Sequence, residues 1–347
     1  MKNKIKFAIL GCGNIAPFHA EAIKNIKNAE LTAICDSDQG KAQEFGDKYS
    51  AEAFTDFSKM LEQADVDVVN ICLPSGLHEK FAIQTACAGK HVMVEKPLDI
   101  TTEKCNNIIA ACEQNNVKLA VIFPSRFNKA VRFVREAIRE GRFGKLTIAD
   151  VNLKWYRSQD YYNSGAWRGT WKFDGGGVLM NQSIHYIDIL QSLMGPVKSV
   201  SAKCSTLARD IEVEDTAAAI LNFKNGALGV IAATTGAYPG TSARVGIYGD
   251  KGSVVMEGES IIQWDFEGKQ SHDESILADF SVTKSSGAKD PTSGLNHEGH
   301  QMQIEDMVQA IYENRNPEID GNEGKKAVEI IRAIYQSSSN NMQLIEI

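Results

Sequence analysis

Two side chains in this sequence could take the proton of an alcohol: Lys96, in Glu95-Lys96-Pro97, and His185, three residues before Asp188. Oxidising a secondary alcohol removes a hydride from carbon and a proton from oxygen, and the proton needs an acceptor within hydrogen-bond reach. A lysine can orient the hydroxyl and, as a cation, stabilise developing alkoxide character. A histidine titrates near neutrality by default and suits the transfer itself. Asp188 falls on the same helical face as His185 and could orient the ring; a solvated or capping carboxylate is an equal reading of it. Three guanidinium groups, Arg126, Arg157 and Arg168, offer planar forks for a carboxylate or diphosphate, or else are ordinary surface cations. Tyr156, Tyr161, Tyr162 and Trp167 could stack on a ring-shaped ligand, or form a packing cluster.

The elements that must position these groups are readable upstream. Lys96 follows the apolar run His91–Val94 and so stands at the carboxyl end of a predicted strand, the edge where open parallel sheets bind ligands. Gly11-x-Gly13-x-x-Ala16 follows the predicted strand Ile5–Leu10 and opens a helix. The first glycine permits a tight turn, the second lets the backbone approach a pyrophosphate, and Ala16 keeps helix and strand close. The helix start then offers N–H groups and a favourable dipole to phosphate. Gly11, Gly13, Asn14 and Ile15 are the expected cradle. Asp36 ends the next strand, where it can accept hydrogen bonds from adenosine ribose hydroxyls and would repel a 2′-phosphate. Asp38 follows it, no arginine adjoins, and Lys41 is the nearest cation. The pattern predicts a dinucleotide site and favours NAD over NADP. A cationic nicotinamide near Lys96 would bias the amine toward its neutral form. His19, in the first helix, reads as a packed helix residue.

Further strands are predicted at Asp65–Cys72 and Lys118–Phe123, with helices at Phe57–Gln63, Leu77–Ala88 and Thr101–Asn115. Repeated β-α-β units imply a parallel sheet covered on both faces. After Pro124 the pattern changes. An amphipathic helix, Asn128–Glu140, is followed by β-rich runs joined by turn signals, which suggests a largely antiparallel sheet. Helices are expected near Leu179–Met194, His297–Asn314 and Gly324–Ser338, and the polar stretch 268–296 reads as a mobile loop. The fold class is therefore α/β, with a dinucleotide-binding domain over 1–124 and an α+β domain with a large open sheet over 125–347.

Bulk properties narrow the function. A formal charge of −7 argues against a general polyanion binder such as a nucleic-acid protein. No run approaches the ~18 apolar residues of a membrane helix, and Phe7–Leu10 is too short for a secretory signal. Seven cysteines without a Cys-x-x-Cys point to thiols in a reducing cytoplasm. The histidines show no ligand spacing, so no metal is expected; in Asn296-His297-Glu298-Gly299-His300 the histidines read as incidental to a helix start.

The glycine turn, Pro74-Ser75-Gly76-Leu77-His78, Glu95-Lys96-Pro97 and the stretch Gly175–Asp188 occur in this order and at these distances. Together they resemble the glucose–fructose oxidoreductase, inositol dehydrogenase and MocA superfamily (Gfo/Idh/MocA), over nearly the whole chain. The resemblance implies an N-terminal Rossmann domain, a C-terminal domain with an open sheet, and hydride transfer between a nicotinamide and a carbohydrate or cyclitol carbon. It implies that Pro74, Ser75 and His78 line the adenine-to-nicotinamide path, that Glu95 contacts the nicotinamide ribose and that Trp167 lies on the cofactor side. His78 is otherwise the start of a helix. It implies a homodimer or homotetramer, and makes a cis Lys96–Pro97 bond an expectation. Where the family usually has aspartate, four residues before the histidine, this chain has Asn181. Asparagine can hold a substrate hydroxyl but cannot take its proton, so more rests on Lys96 and His185. Trp155–Tyr162, Trp167–Trp171 and Leu207–Thr216 resemble a narrower group, the bacterial UDP-N-acetylglucosaminuronate 3-dehydrogenases.

The expected activity is thus NAD-dependent oxidation of a ring hydroxyl on a sugar, sugar acid, nucleotide sugar or cyclitol. Asn181, Arg126, Arg157, Tyr162 and Arg168 are its candidate substrate contacts. Two rival readings are a non-catalytic dinucleotide or sugar sensor and an NADPH-dependent ketosugar reductase.

Overall fold

Six short strands near the start of the chain pair side by side in the computed structural model, which describes residues 3–271, 273–280 and 297–347. The strands are β1 (Ile5–Leu10), β2 (Ala29–Cys35), β3 (Glu52–Phe54), β4 (Val68–Ile71), β5 (His91–Glu95) and β6 (Leu119–Ile122). They are ordered β3-β2-β1-β4-β5-β6, and every pairing is parallel. Helices α1 (Ala16–Lys24), α2 (Gln39–Tyr49), α3 (Phe57–Gln63), α4 (His78–Cys87) and α5 (Thr102–Gln114) make the connections. A sheet covered on both faces needs strands apolar throughout, and β4 is buried at all four positions. Side chains fix several helix starts: Asp38, Asp56 and Thr101 accept from the N–H groups of Lys41, Lys59 and Lys104. The strand order reverses between β1 and β4, and at such a point the carboxyl-end loops part to leave a crevice.

The chain divides into two compact units after Pro124, and a later segment ending at Lys325 belongs with the first unit. The sequence alone places 125–347 in one unbroken second domain. The helix Glu298–Glu313 explains the difference. Its Ile304, Met307 and Val308 share one core with Phe7, Ile9, Ala20 and Ile23 of β1 and α1. From the same helix, Gln303 accepts from the Phe123 N–H (2.9 Å) and donates to the Val121 carbonyl, which occupies backbone groups of the edge strand β6.

The second unit holds α6 (Lys129–Arg139), β7 (Leu146–Lys154), α7 (Gln159–Asn163), α8 (Ile184–Met194), β8 (Val197–Ser205), β9 (Thr216–Phe223), β10 (Leu228–Thr234), β11 (Arg244–Gly249), β12 (Gly252–Glu257), β13 (Ser260–Phe266), α9 (Asp273–Asp279) and β14 (Ile345–Glu346). Its eight strands are ordered β13-β12-β11-β7-β10-β9-β8-β14. Among the described residues of this sheet, only β7 and β10 pair in parallel. Burial alternates along β9 and β10, as in a sheet with one solvated face, and Ile220, Leu228 and Val230 stand on the exposed side. Within the stretch read as a mobile loop, Asp273–Asp279 forms α9, anchored where Arg142 pairs with Asp273 (2.7 Å). Residues 272 and 281–296 of that stretch lie outside the described residues. Among the described residues no helix is long and apolar enough to cross a membrane.

Candidate active site

In the first unit the loops after β1, β2, β4 and β5 carry Gly11–Ile15, Asp36, Pro74 with Ser75, and Lys96, all at the carboxyl edge of one sheet. Gly11 follows β1 with φ +95°, and a Cβ there would meet the Cys72 carbonyl oxygen at 2.7 Å, so only glycine fits. Gly13 and Asn14 are exposed, and nothing lies within 4 Å of where a Gly13 Cβ would stand. Backbone is thus bare where a pyrophosphate must approach. Asp36 accepts from the Cys12 N–H through Oδ2 (2.8 Å) and from the Asp38 N–H through Oδ1 (2.9 Å). The carboxylate is clamped against the glycine turn, and each oxygen keeps a further lone pair for a ribose hydroxyl. Burial pushes the Cys12 thiol up to about 12, so it remains a neutral neighbour. Bare turn, helix start and clamped carboxylate fit NAD.

Lys96 is half-buried between buried Glu95 and Pro97, and the Lys96–Pro97 bond is cis, as the resemblance implied. Glu95 turns inward. Its Oε1 accepts from His19 Nε2 (2.8 Å), with His300 Nε2 3.6 Å away, and its Oε2 accepts from the Lys96 N–H (3.1 Å). The Asn70 amide donates to His19 Nδ1 (3.0 Å), which leaves the ring hydrogen on Nε2. Burial raises the Glu95 carboxyl, but the hydrogen bonds and charges of His19 and His300 outweigh it and hold the group well below the carboxylate range. Burial lowers His19, against the upward pull of Glu95. The ligand-type atoms of His19, Glu95 and His300 all lie within 4.8 Å of one another. His19 and Glu95 are nevertheless at a hydrogen-bond separation, tighter than the about 3.3 Å between two tetrahedral ligands of one zinc ion. The cluster is a hydrogen-bonded anchor for the residue before Lys96. In the sequence His19 and His300 read separately, as packing and as a helix start. Buried His78 ties the neighbouring loops: its ring nitrogens lie 2.8 Å from the Pro97 carbonyl oxygen and 2.9 Å from that of Leu73.

In the second unit, Asn181 lies in a single π turn, Val178–Ser183, and His185 in α8 immediately after it. Both are half-buried in a stretch otherwise largely buried. Glu214 holds the turn at its start. Its Oε2 accepts from the Gly177 N–H and its Oε1 from the Leu179 N–H (2.9 Å each), while the Tyr335 hydroxyl donates to Oε1 (2.8 Å). The approach is close enough that a Cβ on Gly177 would meet the Glu214 carbonyl oxygen at 1.7 Å. Burial pushes the Glu214 carboxyl up to about 7. Buried Asp174 accepts from the Asn181 amide (2.5 Å) and from the Gly169 N–H (2.9 Å). Neither Glu214 nor Asp174 stood out as a site residue in the sequence, because their partners are set by tertiary packing.

Asp188 loses one of its two sequence readings, the solvated or capping carboxylate. It is fully buried, neither solvated nor a cap, and its oxygens take the Arg126 fork at 2.7 Å and 2.6 Å. The guanidinium that the sequence offers to substrate is thus occupied by a buried carboxylate. Arg157 is buried, donates to the Tyr156 carbonyl (2.9 Å) and lies over the rings of Trp155 and Tyr161. Arg168 donates to the Tyr161 hydroxyl (2.7 Å) and packs over Tyr161 and Trp167. Tyr162 bonds Thr235 (2.9 Å), and burial pushes its phenol up to about 12. Arg157, Tyr162, Trp167, Arg168 and Asn181 therefore gather around one aromatic and polar cluster, with Arg126 committed to α8.

Residues 5–123 match an oxidoreductase family with an NAD-binding Rossmann fold, and residues 131–255 match the GFO/IDH/MocA C-terminal domain. Among solved structures, the chain is similar to the WlbA dehydrogenase from Bordetella pertussis in complex with NADH and UDP-GlcNAcA, at 36% identity and TM-score 0.91, covering 100% of this chain and 99% of that one. The Chromobacterium violaceum WlbA dehydrogenase in complex with the same two ligands gives 35% identity and TM-score 0.90, covering 100% and 97%. Inositol 2-dehydrogenase of Rhizobium meliloti is 26% identical over 348 residues, 98% of each chain. With both family domains matched and full-length relatives above 30% identity, the chain belongs to the GFO/IDH/MocA family of NAD-binding oxidoreductases.

Proposed function

We propose that this enzyme oxidises the 3-hydroxyl of a UDP-linked N-acetylhexosaminuronate, with NAD as hydride acceptor. The observation that carries the substrate is the likeness along the full chain, at 36% identity, to a protein bound to NADH and UDP-GlcNAcA. The site chemistry supports it. Lys96 orients the hydroxyl and stabilises its developing charge, and His185 takes the proton. Asn181 holds a hydroxyl; Arg168 and Trp167 supply the cationic and aromatic wall that a uronate and diphosphate require, with buried Arg157 and Tyr162 packed against Tyr161 beside them. The glycine turn and Asp36 hold the dinucleotide. Bound NAD supplies the hydride acceptor; every proton is handled by the chain. The exposed apolar face of the second sheet, with Ile220 and Leu228, supports the expected dimer or tetramer.

The test is NADH formation from UDP-linked N-acetylhexosaminuronates, free uronates, hexoses and inositols. Turnover of the UDP-linked sugar alone is expected. Lys96→Ala and His185→Ala should each lower kcat by roughly 10²–10⁴-fold. Retained kcat in both variants would reject the roles, and turnover of inositols alone would reject the substrate.

A further inference from the structure

We propose that Asp174 is a positioning residue that sets the polarity of Asn181, so that the amide presents its oxygen, not its nitrogen, to the substrate; this rests on the alcohol-oxidising reading above. Asp174 is buried, and its two oxygens divide between two site segments. Oδ2 accepts from the N–H of Gly169, at the end of the loop that carries Trp167 and Arg168. Oδ1 accepts from Asn181 Nδ2 at 2.5 Å, short even for an N–H donor to a charged oxygen. An ionised carboxylate has no hydrogen to donate, so the nitrogen of Asn181 must face it. The amide oxygen then points the other way, where Gln182 Nε2 approaches it at 3.4 Å. Gln182 and Arg168 in turn both donate to the Tyr161 hydroxyl (3.4 Å and 2.7 Å), which joins the two segments a second time.

The consequence is a sign. An amide oxygen accepts the hydrogen of an alcohol and gains nothing from a ketone oxygen in the same place. Asn181 therefore recognises the hydroxyl form of the group it touches, and Asp174, behind it, enforces that choice.

A charge swap tests the pair. Asp174→Asn should keep the Gly169 bond through the new amide's oxygen and turn its NH₂ toward position 181. Asn181 must then flip, present its nitrogen, and lose kcat/KM by about 10–100-fold. Asn181→Asp places two carboxylates in contact, and like charges at that range share a proton. The folded state then binds a proton more tightly than the unfolded chain. Melting temperature and kcat/KM should both fall, relative to the parent enzyme, as pH rises from 5 to 9. The double variant Asp174→Asn with Asn181→Asp retains both hydrogen bonds with roles exchanged. It should recover at least tenfold of the activity lost in the worse single variant and abolish the extra pH dependence. A double variant no better than that single variant, or an Asn181→Asp melting profile parallel to that of the parent at every pH, overturns the proposal. If the parent oxidises no sugar, the functional reading fails, and the melting profiles alone still decide the pair.

Discussion

Glu95 and Glu214 are both buried carboxylates next to a residue that matters, yet their surroundings push them in opposite directions. Glu95, before Lys96, is met by imidazole rings and held well below its ordinary range despite burial. Glu214, at the start of the turn that leads to His185, is met by backbone N–H groups and a phenol, and burial carries it up to about 7. Rings that can carry charge compensate a buried anion more fully than neutral dipoles do. The lysine edge is built to keep its anion; the histidine turn rests on one that is half protonated near neutrality.

The largest effect should come from a third buried carboxylate. Arg126→Ala strands Asp188 beneath α8 and should cost about 3–5 kcal/mol in denaturant unfolding. A change below ~1 kcal/mol would show that the histidine helix does not depend on that ion pair. Next, Glu95→Gln and Glu214→Gln should separate by pH. Glu95 is depressed, so its stabilisation is complete above the unfolded value of about 4.5 and is lost as pH falls through the lower folded value. Glu95→Gln should therefore cost about 2 kcal/mol at pH 7 and progressively less below pH 4.5. Glu214 is raised, so its contribution worsens as pH climbs from about 4.5 to about 7 and is then constant. Glu214→Gln should compare better with the parent at pH 8 than at pH 5. Melting curves across pH check both, and parallel profiles would erase the contrast. The smallest effect concerns the cofactor. Asp36→Ala should shift the ratio of NADPH to NADH affinity toward NADPH by about tenfold, read by fluorescence titration.

What could be read in the sequence was whatever has a short period. The alternation of β1, turn and α1, the run into Glu95 and the helix Phe57–Gln63 follow from local spacing, and the structure has them within a few residues. Helix α2 gave no such signal, because it buries only Ala42 and Gly46, and β3 is three residues long. β13 was missed where polar Gln263 and Asp265 interrupt its apolar residues. The π turn was read as plain helix, since its extra residue leaves the apolar spacing nearly unchanged. Of the candidate site, the residues with motif chemistry stand out in the sequence: Lys96, His185, Asp36 and the glycines. The groups that hold them were not. His300 reaches Glu95 from a helix about two hundred residues on, and Glu214 reaches Gly177 from 37 residues away. No local pattern encodes such meetings.

The return of Glu298–Glu313 to the first unit bears on how the protein is made. Val308 and Met307 complete the hydrophobic core beside β1, and His300 completes the anchor of Glu95. While a ribosome is still making the second unit, the nucleotide-binding half waits with an open apolar face and an edge strand lacking Gln303. Its final consolidation waits until residues 298–313 have been made, and a fragment stopped at residue 124 would carry that exposed surface permanently.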